Sequence, residues 1–133
     1  MRRKSETCIV LLLLICVVTA CNVTESPFAK TAGNIGSAFA AAATTLTYAH
    51  EGKISDRYAA SSFMQFQNEL SGADQALTAS SDVDRHTLQQ LLALYTPAMR
   101  IIDAPCQSNS CGWRGQIEVL NRASAAFLKA GGS

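Results

Sequence analysis

The chain has 133 residues, of which 48% are hydrophobic and 16% are charged, and its formal net charge is +1. A chain of this length is sufficient for one domain with one core and too short for two. The near balance of charge excludes the basic surface that nucleic-acid-binding proteins present, so no nucleic-acid partner is expected.

The first 21 residues have the order of an export signal. Three basic residues among the first four precede an apolar run from Cys8 to Val18, and two small residues then lead to Cys21. That order is typical of a segment that is removed during secretion. The apolar run is shorter than the roughly 20 residues that a membrane-spanning helix needs. Residues 1–20 are therefore predicted to be a cleaved signal peptide.

Val18-Thr19-Ala20-Cys21 closes this segment and resembles the lipobox of bacterial lipoproteins, in which an aliphatic residue and two small ones precede the lipid-modified cysteine. The resemblance covers residues 1–21 only. It implies a diacylglycerol on Cys21, cleavage immediately before it, and attachment to a membrane on the extracytoplasmic side of the bacterial cell envelope. Two or three acyl chains hold a protein on a membrane essentially permanently.

Cysteine parity favours lipidation over ordinary secretion. Two cysteines leave with the signal and two near the C-terminus can pair, which leaves Cys21 without a partner. A leftover cysteine in an exported protein requires an explanation, and lipidation supplies one. The alternative is cleavage after Ala20 without lipidation, because residues 18–20 also fit a small-x-small site loosely. The product would then be a secreted soluble bundle.

The mature chain begins with a short tether. Three of the 11 basic residues and one of the 10 acidic residues lie in the signal, so the remaining 113 residues carry eight Lys and Arg against nine Asp and Glu. Residues 21–27 lack periodicity and end in a proline. The residues that follow Cys21 in this tether reach at most about 20 Å, which keeps the predicted domain, residues 28–133, close to its membrane.

The first two helices are predicted from apolar residues at helical spacing. The first ends at Gly52, and its small residues Gly33 and Gly36 are expected to let a neighbouring helix approach closely. The second begins after Ser55 as N-cap and has a potential break at Gly72, since residues 71–74 have the pattern of a capping box. The two core stripes are Phe28, Ala32, Ile35, Phe39, Ala42, Leu46 and Ala49, followed by Ala59, Phe63, Phe66, Leu70, Ala73 and Leu77.

The third and fourth helices follow the same periodicity. The third is predicted to begin at Ser81 with carboxylates in its first turn, to bend at Pro97 and to end before Pro105. The fourth is predicted to stop at the Gly131-Gly132 pair. Their core stripes are Leu88, Leu91, Leu92, Tyr95, Met99 and Ile102, followed by Trp113, Ile117, Leu120, Ser124 and Phe127.

Four helices of similar length with short connections predict an all-α domain, an antiparallel up-down four-helix bundle. In this arrangement the end of the first helix, at residues 50–52, and the loop at 104–112 lie at the same end, away from the anchor. The turn at 78–82 and the C-terminus return to the membrane side. We call the far end, residues 50–57 and 104–114, the distal tip.

Cys106 and Cys111 lie between two predicted helices and are expected to form a disulfide in an oxidising compartment. A ring this short contributes about 2 kcal/mol before strain. The spacing is not Cys-x-x-Cys, which argues against a catalytic redox role, and a zinc site would need further ligands nearby. The pair is therefore predicted to be a stabilising staple.

No pattern in the sequence indicates catalysis, a cofactor or a metal. The two histidines, His50 and His86, belong to opposite ends of the bundle, and each is predicted to be a surface residue, His86 beside Asp82. Met64 and Met99 could face inward as haem ligands, but methionine in a helical stripe is usually core filler. Neither histidine lies in a nucleophile motif. We therefore expect a protein that is not an enzyme.

The distal tip is the candidate interaction surface, and its residues of interest are His50, Glu51, Arg57, Trp113 and Arg114. Trp and Arg are the residue types that most often dominate the energy of protein interfaces. The leading hypothesis is a lipid-anchored protein-interaction module with an unknown envelope partner. The alternative is a carrier or sensor that binds a small molecule, a haem or a lipid between its helices.

Overall fold

The computed structural model describes residues 26–108 and 110–132, and every regular element in that part of the chain is a helix. The helices are α1 (Pro27–His50), α2 (Asp56–Leu70), α3 (Ala73–Ala79), α4 (Arg85–Asp103) and α5 (Trp113–Ala130). The predicted four-helix bundle is confirmed, with α2 and α3 as two segments of its second helix. The predicted signal peptide and Cys21 lie outside the described residues.

The first and last helices pack antiparallel at very short distance. A Cβ atom added to Gly36 would lie 2.8 Å from the backbone nitrogen of Leu128, and one added to Gly131 would lie 2.9 Å from the Cα of Gly33. The buried hydroxyl of Ser124 donates a hydrogen bond of 2.8 Å to the carbonyl oxygen of Gly36. The predicted close approach at Gly33 and Gly36 is therefore confirmed, and α5 is the helix that approaches.

The second helix breaks at Gly72, which adopts a φ of +77° and occupies the N-cap position of α3. Only glycine takes up this left-handed conformation without strain. The predicted capping box at residues 71–74 is wrong, because no side chain caps α3. The cap of α2 is as predicted: the Ser55 hydroxyl accepts a hydrogen bond of 3.1 Å from the Tyr58 amide. Leu70 and Leu77 stay buried on both sides of the break.

The third predicted helix, α4, begins later than expected. Its N-cap is Asp84, whose carboxylate accepts hydrogen bonds from the Thr87 amide at 2.9 Å and the Thr87 hydroxyl at 2.7 Å. Ser81 is not the cap, because the helix starts at Arg85. These hydrogen bonds hold the pKa of the Asp84 carboxyl below its ordinary value. Pro97 lies inside α4 and is exposed, and the helix ends at Asp103.

Three aromatic rings from three helices meet in the core. Phe39 lies 5.9 Å from Tyr95 and 5.8 Å from Phe127, measured between ring centroids, and Tyr95 lies 6.3 Å from Phe127. The Tyr95 hydroxyl donates a hydrogen bond of 3.2 Å to the carbonyl oxygen of Leu70 at the end of α2. Burial raises the pKa of this phenol. The hydrogen bond satisfies a polar group inside the core and ties the broken second helix to α4.

Candidate functional site at the distal tip

The end of α1 and the start of α5 meet through two side chains at the distal tip. The rings of His50 and Trp113 stack with their centroids 4.3 Å apart and their planes 6° apart. His50 Nε2 also donates a hydrogen bond of 2.8 Å to the carbonyl oxygen of Cys106. Both rings are half-buried. His50 is therefore a structural joint between two helices and a loop, and the prediction of a simple surface histidine is wrong.

The loop between α4 and α5 is closed by the predicted disulfide between Cys106 and Cys111. Their Cα atoms are 6.0 Å apart, within the usual range for a disulfide. Cys106 is only 6% exposed, and its amide donates a hydrogen bond of 2.8 Å to Gln116 Oε1. Cys111 is exposed, and its carbonyl oxygen accepts a hydrogen bond of 2.8 Å from the Trp113 amide. The loop is thus attached to α5 at both cysteines.

Charged side chains surround this joint. The Arg114 guanidinium carbon lies 5.1 Å from the centre of the Trp113 ring, a cation–π distance. Glu51 forms an ion pair of 2.8 Å with Lys53, and its carboxylate raises the pKa of that ammonium group. Arg57 is exposed on the first turn of α2. Of the five predicted residues, the structure brings His50, Trp113 and Arg114 into one contact set, whereas Glu51 pairs with Lys53 and Arg57 is exposed on α2.

Two exposed tyrosines belong to the same region and were missed in the sequence. Tyr58, next to Arg57, is 61% exposed, and Tyr48, near the end of α1, is 42% exposed. Lys53 Nζ lies 5.1 Å from the centre of the Tyr48 ring. Both tyrosines stand off the apolar stripes that face the core, and this position was the available signal. A large aromatic side chain on the polar face of an amphipathic helix is exposed unless another surface covers it.

The spaces between the helices differ in size and character. A cavity of about 20 Å³ under the distal tip, lined in part by His50, Asp56 and Phe63, has room for a single water molecule. An open groove of about 690 Å³ runs between α1 and the broken second helix, with Ala41 and Phe66 among its walls. A further groove of about 520 Å³ lies between α4 and α5. The volumes of both grooves are in the range of small-molecule sites.

The other candidate groups of the sequence lie apart on the surface. His86 is exposed and contacts the Gln90 side chain at 3.0 Å, one helical turn away, instead of Asp82. Met64 does not face inward, because it is 63% exposed. Within residues 26–108 and 110–132, no three His, Cys, Asp or Glu side chains are placed to hold a metal ion.

None of the helices in the described part of the chain combines the length and the apolar character that crossing a bilayer requires. No known protein family, curated protein or solved structure matches this chain. The distal tip combines a half-buried tryptophan, two arginines and a disulfide-closed loop, and the exposed Tyr48 and Tyr58 flank it in sequence.

Proposed function

We propose that this chain is a non-enzymatic, lipid-anchored module of a bacterial cell envelope that binds a protein partner through its distal tip. The observation that carries the proposal is the contact of Trp113 with Arg114 at the distal tip, with the exposed Tyr58 at the start of α2 as a further aromatic side chain near the end of α1. Tyr58 is 61% exposed, and the Arg114 guanidinium lies over the Trp113 ring. Tyr, Trp and Arg are the residue types enriched among the energetic centres of protein interfaces.

Rigidity of the distal tip supports binding. Trp113 is held by the His50 ring on α1 and by the Cys111 carbonyl oxygen in the loop, and the loop itself is closed by a disulfide. A side chain that is ordered before binding loses less conformational entropy when a partner covers it. The tip therefore presents its tryptophan at low entropic cost.

The charges of the distal tip point to a partner that carries carboxylates. Within the described ranges Arg57, Arg114 and Asp56 form no ion pair, whereas Glu51 is neutralised by Lys53, so the tip keeps an excess of one positive charge. Arginine at the rim of an interface pairs with acidic groups of the partner, and such pairs act mainly on orientation and association rate. We therefore expect binding to weaken as salt concentration rises.

In this proposal the lipid anchor and the distal tip lie at opposite ends of the bundle. α1 has 24 residues and is therefore about 36 Å long, and it starts at Pro27, a few residues after Cys21. Lipid on Cys21 would hold the start of α1 at the membrane and direct His50 and the rest of the tip outwards. A partner on a facing surface of the envelope then meets the tip first.

Site-specific photo-crosslinking tests the proposal with a matched control. A photoreactive phenylalanine analogue replaces Tyr58, which adjoins the tip at Arg57, or Met64, six residues later on the flank of the same helix. The two positions are 61% and 63% exposed. We expect a discrete protein adduct in intact envelopes from position 58 only, and its loss when Arg114→Glu is added. Equal adducts from both positions, or none from position 58, would contradict the proposal.

The open groove favours the carrier as a second candidate function. Its volume of about 690 Å³ and the apolar part of its walls, which includes Phe66 beside polar residues such as Asn34 and Glu69, would accept a small, largely apolar molecule. Ala41→Phe narrows the groove, and Ala60→Phe adds the same ring at an exposed position on α2 that does not line it. Binding of a fluorescent apolar probe that Ala41→Phe abolishes and Ala60→Phe retains would support the carrier. Equal binding by both variants would contradict it.

A further inference from the structure

The two sulfur atoms of the disulfide have unequal surroundings. Cys106 is 6% exposed, and its backbone is held twice, by Gln116 through its amide and by His50 through its carbonyl oxygen. Cys111 is exposed, and the carbonyl oxygen of Ser108 lies 3.0 Å from its sulfur. Cys111 is therefore the more accessible half of the bridge to a thiol in solution.

We propose that the Cys106–Cys111 bridge is a thiol–disulfide exchange site at which an external dithiol enters at Cys111 and thereby regulates the distal tip. Exchange requires a thiolate to approach one sulfur in line with the disulfide bond, so access decides which sulfur is attacked. Because Cys111 is exposed and Cys106 is buried, the attacked sulfur is Cys111 Sγ. The first sulfur to leave is then Cys106 Sγ.

The chemistry balances as a two-electron exchange with a dithiol. Its first thiolate attacks Cys111 Sγ, the bridge breaks, and Cys106 leaves as a thiolate that takes up a proton. A mixed disulfide now joins the reductant to Cys111. The second thiol of the reductant then loses its proton and attacks the first sulfur of the reductant, which is bonded to Cys111. Cys111 is released as a thiolate and takes up a proton. The protein gains two electrons and two protons, and the reductant becomes a disulfide.

Reduction affects the two halves of the loop differently. Cys106 remains in place, because its burial and its bonds to Gln116 and His50 do not depend on the bridge. Cys111 loses its covalent tie, and its carbonyl oxygen is the acceptor for the Trp113 amide at the start of α5. The loosened segment therefore adjoins Trp113 and Arg114. That this changes partner binding rests on the proposed function of the tip.

Alkylation of the reduced, folded protein tests the exchange site. Trypsin releases residues 101–114 as one peptide that contains Cys106 and Cys111 and no other cysteine of the chain, so fragment masses separate the two sites. After native reduction with dithiothreitol, a short pulse of iodoacetamide should modify Cys111 about tenfold or more faster than Cys106. In urea the two rates should become similar. Equal rates in the folded protein would overturn the proposal.

Two further measurements keep the outcome unambiguous. Gln116→Ala removes one of the bonds that hold Cys106, so it should raise Cys106 alkylation, while Gln90→Ala on α4 should not. Reduction should also proceed under native conditions and reverse on adding oxidised dithiothreitol; a bridge that opens only in urea would overturn the proposal. If alkylation stays selective but position 58 forms no partner adduct, the proposed function fails and the exchange site stands.

Discussion

The hydroxyl of Ser124 on α5 lies 2.8 Å from the carbonyl oxygen of Gly36 on α1, and both residues are buried. A side-chain-to-backbone hydrogen bond across two helices requires their backbones to lie closer than large side chains allow. Gly36 supplies that closeness, because its missing Cβ leaves room for Leu128. The first and last helices therefore form the tightest seam of the bundle, and this seam sets the position of Trp113 opposite His50.

Gly36→Ala should destabilise the fold. The new Cβ would meet the Leu128 nitrogen at 2.8 Å, and a backbone atom inside a helix has little freedom to move away. We expect a loss of about 1–3 kcal/mol in the free energy of unfolding, which is typical of overpacking. Urea unfolding followed by circular dichroism measures it.

Gly33→Ala is the matched control for that measurement, since it makes the same change one helical turn earlier. Nothing lies within 4 Å of the Cβ that it would add. Alanine favours a helix over glycine by up to about 1 kcal/mol, so this variant should be as stable as the wild type or slightly more stable. A similar loss for both variants would show that the Leu128 contact does not decide the cost.

Asp84→Ala should lower the melting temperature at neutral pH and reduce the further fall of the melting temperature at acidic pH. Ser81→Ala should change neither. Thr87 holds the pKa of the Asp84 carboxyl below its ordinary value, so the folded state favours the charged form. Such a group stabilises the fold above its unfolded pKa and loses this effect as the pH falls through its lowered folded pKa. Melting curves between neutral pH and pH 3 measure the difference. A wild-type melting profile from Asp84→Ala would refute this assignment of the cap.

Most of the scaffold was predictable because its signals are local. The four helical stretches, the break at Gly72 and the disulfide follow from apolar spacing, from a residue that tolerates positive φ, and from two cysteines in one short loop. The close seam was also predictable in part, because Gly33 and Gly36 stand one turn apart in a helix that is otherwise rich in alanine. The sequence did not identify which helix would fill that space.

The errors concern choices that the local sequence leaves open. Ser81 and Asp84 are both good N-caps, and the helix starts at the later one, where Thr87 can donate two hydrogen bonds. Met64 follows Phe63, so their positions on the helix differ by about 100°, and only one of them can face the core. The stack of His50 on Trp113 joins distant parts of the chain, and helical periodicity carries no information about it.

Replacing both cysteines of the loop, as Cys106→Ser with Cys111→Ser, should lower the melting temperature without removing helicity. A closed ring of this size stabilises the folded state by about 2 kcal/mol, chiefly because it restricts the unfolded chain. The helices keep their packing, since none of the described loop residues 107, 108 and 110–112 belongs to the core. Thermal melts with and without reductant measure the effect. An unchanged melting temperature would show that the disulfide does not stabilise the folded state.

His50→Ala should shift the fluorescence emission of Trp113 to longer wavelength, because the tryptophan loses the ring that covers one of its faces. Trp113 is the one tryptophan of the chain, so the emission reports this site alone. Loss of the stack and of the hydrogen bond to the Cys106 carbonyl oxygen should also cost about 1–2 kcal/mol of stability.

His86→Ala is the control for the His50 substitution, since His86 is exposed at the start of α4, at the other end of the bundle. It should leave both the emission and the melting temperature unchanged. If His50→Ala also leaves the emission unchanged, the histidine does not hold the tryptophan, and the rigidity that supports binding at the distal tip has to come from the disulfide-closed loop alone. Combining His50→Ala with the cysteine replacements separates these two sources, because additive shifts indicate that each holds Trp113 independently.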